Sequence, residues 1–115
     1  MKPLEDRTKA FALDVVRLCS TLPAKPEVAV MTRQLMRSAT SVGANYRAAC
    51  RAQSRAAFIA KLSIVEEEAD ESTYWMELLE AILPERSMAL KKLQKEASEL
   101  VAIIVTSKKT ARRNA

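Results

Sequence analysis

The chain has 115 residues, with 19 Lys and Arg against 14 Asp and Glu, a net charge of +5, and no histidine. The missing histidine excludes Ser-His and Cys-His nucleophile systems and di-iron sites of the Glu-x-x-His type. A single glycine excludes a Gly-rich phosphate loop.

One domain is expected at this length, spanning 1–115. No apolar run approaches the ~20 residues that a membrane-spanning helix needs. The opening MKPLEDRTKAF has acidic residues and no apolar core of signal-peptide type. A cytoplasmic location is expected. With Pro3, Pro23, Pro26 and Pro84 all at segment edges, the expected fold is all-α, an up-down antiparallel four-helix bundle. The helices are expected at about 4–22, 26–51, 55–83 and 85–107, without repeats and with a short basic tail.

The first helix carries a stripe of Phe11, Val15, Leu18 and Leu22, broadened by Ala12, Val16 and Cys19. Pro23-Ala24-Lys25-Pro26 ends it, because proline lacks the amide proton and clashes with the preceding turn. The second carries Val28, Met31, Leu35, Ser38, Val42, Asn45 and Ala49. Its middle is built of small side chains around Gly43, a residue that costs about 1 kcal/mol against alanine inside a helix. Close approach of another backbone is the expected reason for it. Cys19 and Cys50 fall near opposite ends of neighbouring helices, ~30 Å apart at 1.5 Å per residue, too far to bridge. Both read as small core residues.

Ser54 is placed to cap the third helix. Phe58, Leu62, Val65, Ala69, Ser72, Met76, Leu79 and Leu83 form one stripe of it. Ala57, Lys61, Ile64, Glu68, Glu71, Trp75, Leu78 and Ile82 form a second beside it. Two stripes need partners on two sides. The fourth helix carries Leu90, Leu93, Ala97, Leu100 and Ile104 and ends in the all-apolar run Val101–Val105. A monomer of this size would expose much of that surface, so Trp75, Leu78, Val101, Ile103, Ile104 and Val105 are the expected oligomer interface. Residues 108–115 are expected to be frayed.

Charge is uneven along the chain. Residues 27–61 carry six basic groups and one acidic; residues 62–85 carry eight acidic and none basic; residues 86–115 carry eight basic and two acidic. Arg47, Arg51, Arg55, Lys91, Lys92, Lys95, Lys108, Lys109, Arg112 and Arg113 are the candidate nucleic-acid contacts, through counterion release. A plain solvated face is the competing reading. Tyr46, Tyr74 and Trp75 lie in or beside packing stripes, which argues against base stacking.

Glu68-x-x-Glu71 and Glu96-x-x-Glu99 are carboxylate pairs that share helix faces and could hold Mg²⁺ or Mn²⁺. A metal-dependent nucleotide pyrophosphohydrolase is therefore the enzymatic alternative. The non-catalytic reading is preferred, with no cofactor and no metal. In the preferred reading Arg37 serves Glu68 and Glu71 in the interior, because a turn near residue 53 puts position 38 level with about 68. Ser38, Ser41 and Asn45 complete this buried structural network.

The blocks RSATSVGANYRAACRAQS and FIAKLSIVEEEADESTYWMELL resemble the bacterial four-helix bundle protein family. Its relatives include proteins encoded in intervening sequences of large ribosomal RNA genes and the accessory variability protein of diversity-generating retroelements. The resemblance covers about residues 8–105. It carries over Arg37, Ser38, Ser41, Asn45 and Tyr46, and Ser54, Phe58, Leu62, Glu68, Glu71 and Trp75. Where the family pattern has a glutamate after Tyr-Arg, this chain has Ala48. The resemblance implies a five-membered ring and no established enzymatic activity. For the retroelement relatives it implies binding of nucleic acid, RNA or DNA, and of a reverse transcriptase.

Overall fold

The computed structural model describes residues 2–114, Lys2 by its backbone alone; Met1 and Ala115 lie outside the described residues. Four helices follow in order: α1 (Lys2–Cys19), α2 (Pro26–Cys50), α3 (Arg55–Ile82) and α4 (Ser87–Arg113). A 3₁₀ turn, Pro84–Arg86, precedes α4. Each helix packs on its chain neighbour, and α1 closes the bundle against α4. The molecule is elongated, 48 × 21 × 19 Å.

The local chemistry explains the boundaries. Pro26 opens α2, where a missing amide proton costs nothing. The Ser54 hydroxyl accepts from the Ala57 amide at 3.0 Å and caps α3. Three expectations need correction. The first helix stops at Cys19, three residues early, because the Ser20 and Thr21 hydroxyls bond back to the carbonyls of Arg17 and Leu18 at 2.7 Å. The segment after 107 is not frayed: α4 continues through Arg113. Ile104 is not interface but core, fully buried.

The core is made of the expected stripes. Phe11, Val15, Leu35, Val42, Leu62, Val65, Met76, Leu79, Leu90 and Leu100 are almost wholly buried. Cys19 is buried too, and burial pushes its thiol up to about 11. Cys50 is only half-buried, since it lies in the last turn of α2. Both thiols are free. Gly43 sits against α1: a Cβ there would lie 3.3 Å from Thr8 Oγ1 and 3.5 Å from the Thr8 carbonyl carbon. Thr8 is itself buried, with its hydroxyl bonded to the Glu5 carbonyl at 3.1 Å.

Candidate nucleic-acid interface and the arginine clamps

Arg37 projects from α2 towards α3. Its Nη1 lies 3.4 Å from Glu68 Oε2, and its Nη2 donates to Glu71 Oε2. Trp75 Nε1 donates to the same Glu71 oxygen at 2.9 Å. The tryptophan and the guanidinium together hold the Glu71 carboxyl below the usual carboxylate range. The arginine side chain is 50% exposed, so the network expected in the interior lies at the surface of the single chain. The reason is geometric: residues 37 and 68 flank the α2–α3 seam, while the seam itself is filled by Ser38 and Ser72. Those two hydroxyls meet at 2.9 Å, both fully buried. Asn45 and Ser41 do not reach the arginine: Asn45 Nδ2 donates to the Ser41 hydroxyl and carbonyl at 2.8 and 2.9 Å.

A second clamp of the same kind went unnoticed in the sequence. Arg7 on α1 donates twice to Glu96, 2.8 Å each, and once to Glu99 at 2.7 Å. These bonds, led by Glu96, raise its pKa further above an ordinary arginine's. Each Glu-x-x-Glu pair is therefore held by one arginine from the adjoining helix. The pairs occupy different seams, α2–α3 and α1–α4. No group of three or more acidic or cysteine side chains able to hold a metal forms among the described residues.

The candidate basic residues divide by location. Lys91 lies 2.9 Å from Glu80, whose carboxyl also accepts from Ser87 and Gln94 and drops to about 2, with Ser87 the largest cause. Lys92 and Lys95 line a groove of about 370 Å³ between α1 and α4, together with Asp14, Glu96 and Glu99. Lys108 is taken by Glu66 at 2.9 Å and is only 15% exposed, so it drops out of the accessible set. The others gather at one end. Chain alternation brings the N-terminus of α1, with Glu5 and Asp6, together there with the C-terminus of α2, the N-terminus of α3 and the C-terminus of α4, and Arg47 shares a groove with both acids. Arg47, Arg51, Arg55, Lys109, Arg112 and Arg113 are all exposed at that end, and none forms an ion pair among the described residues.

Of the expected interface residues, Trp75, Leu78, Val101, Ile103 and Val105 are half-buried. The large apolar side chains left exposed are others: Leu13, Val16, Val30, Ile64, Tyr74, Ile82 and Met88. Tyr74 is 53% exposed, with its ring edge-on to Trp75. Tyr46 is buried instead, and burial beside Cys50 raises its hydroxyl pKa.

The bundle, its clamped carboxylates and its basic end define a class of small all-α protein without a membrane-spanning helix among the described residues. Residues 5–106 match the 23S rRNA-intervening sequence protein family, and the chain belongs to that family. It is also similar to a crystal structure, at 1.70 Å resolution, of a protein with unknown function of the S23 ribosomal protein family from Bacteroides thetaiotaomicron. The two are 36% identical, with a TM-score of 0.84, covering 91% of this chain and 97% of that one. No curated protein matches the chain significantly.

Proposed function

We propose that the chain is a non-catalytic helical module that assembles into a homo-oligomeric ring, a pentamer, and binds nucleic acid or a nucleic-acid enzyme through its basic end. The observation that carries this reading is the cluster of six exposed cations at one end, none of them in an ion pair among the described residues and only Arg47 sharing a groove with acids, Glu5 and Asp6. A phosphate backbone fits such a cluster, because each neutralised phosphate releases condensed counterions. The exposed apolar residues on α1, α2 and α3 support self-assembly. Against a metal-dependent nucleotide pyrophosphohydrolase, both carboxylate pairs are already taken by arginine. A divalent ion would have to displace a guanidinium from each.

The test compares two triple variants for affinity to a short single-stranded RNA. Arg47→Gln/Arg51→Gln/Arg55→Gln should weaken binding at least tenfold. Lys91→Gln/Lys92→Gln/Lys95→Gln should change it little, because those lysines lie in the first turns of α4, away from the basic end, and Lys91 is held by Glu80. Equal losses from the two triples, or none from either, would overturn the placement.

A further inference from the structure

The outward faces of α2 and α3 carry opposite charge. Beyond the first turn, where Glu27 is exposed, the outward positions of α2 recur as Val30, Arg33, Arg37, Thr40, Ala44 and Arg47, basic or neutral throughout, and Arg51 follows just past the helix end. On α3 they recur as Ala60, Ile64, Glu67, Asp70, Tyr74 and Glu77, with three acids and two large apolar side chains. Arg33 and Glu77 take no part in any ion pair among the described residues, so neither is needed within the chain.

We propose that the occupant of the acidic α3 face is the basic α2 face of a second copy, in a head-to-tail contact. This rests on the assembly reading above and assigns its surfaces. The register supports it. A rotation about an axis parallel to the helices keeps every residue at its own height, so the register between copies equals the register within one. Ser38 and Ser72 touch, which fixes that register. Arg33 then falls level with Glu77, Thr40 with Asp70, and Ala44 between Ile64 and Glu67. Small Ala44 meets bulky Ile64, and the Arg33 cation meets the Glu77 anion.

The angle supports it as well. Adjacent helices of a square bundle present faces about 90° apart, so an α2-on-α3 contact turns successive copies by roughly that angle and closes after about four or five of them. Arg47 and Arg51 fall level with Ala60 and its neighbours, where α3 has no acid. They remain uncovered on one rim of the ring.

The experiment is light scattering across a protein concentration series on the parent, Arg33→Glu, Glu77→Arg and the double variant, with helicity checked by circular dichroism. The parent should assemble. Each single reversal should weaken assembly at least tenfold without losing helicity, and the double, which restores opposite charges across the contact, should recover most of it. Single variants that assemble like the parent, or a double that stays apart, would overturn these surfaces while leaving self-assembly standing. A monomeric parent would overturn the assembly reading itself and this contact with it. If Arg33→Glu instead lost RNA affinity with unchanged assembly, the α2 face would belong to nucleic acid and the proposal would fall.

Discussion

Removing Arg37 is the sharpest single perturbation, because two physical settings give very different sizes for it. Were the clamp buried, stripping one partner would strand a charge and cost about 3–5 kcal/mol. The guanidinium is 50% exposed, and Glu68 and Glu71 are 18% and 36% exposed. Solvent-exposed pairs contribute roughly 0.2–1 kcal/mol each, reduced further by salt. Glu71 keeps its bond from Trp75, so only Glu68 loses its strong partner. Arg37→Ala should therefore destabilise the chain by about 1 kcal/mol. Urea unfolding at several protein concentrations is the assay, since coupled assembly makes the midpoint concentration-dependent and intrinsic stability does not. A concentration-independent loss above about 3 kcal/mol would refute the reasoning and place the clamp in a low-dielectric setting.

Thr32 has a buried hydroxyl with no hydrogen-bond partner among the described residues; Thr32→Val should raise stability by about 1 kcal/mol in the same assay, since an unsatisfied polar group is costly. Gly43→Val should lower it by about 1–3 kcal/mol by driving a side chain into Thr8. The Glu80 carboxyl falls from 4.5 to about 2 on folding. Its contribution is therefore full above pH 4.5 and lost as the pH falls towards 2, while Glu80→Gln should flatten thermal stability across that window.

The core was legible because helical periodicity reports directly on burial: the stripe from Val28 to Ala49 on the second helix and the stripe from Phe58 to Leu83 on the third pack inward or border the core, Ser38 and Ser72 included and Asn45 half-buried, whereas Ala57, Ile64 and Ile82 of the neighbouring stripe are exposed. The Arg37 partners were legible from register alone. Burial was not, because a 3-4 pattern cannot separate the seam positions Ser38 and Ser72 from the flanking positions 37 and 68. Arg7 was missed for a related reason. Its partners lie 89 and 92 residues away, across a closure between the first and last helices that no local turn fixes. Lys108 looked like free tail, yet helical continuation carries it onto Glu66. Ile104 was assigned to an interface because its neighbours are all apolar, although the stripe Leu90, Leu93, Ala97, Leu100 and Ile104 already carries it inward, and that stripe is the one buried.

The most direct test of the central claim is the salt dependence of single-stranded RNA binding by the parent protein. Six exposed cations at one end predict that log affinity falls linearly with log salt, with a slope of about −4 per chain at ~0.7 per phosphate neutralised. A slope near zero, or no binding at low salt, would contradict it.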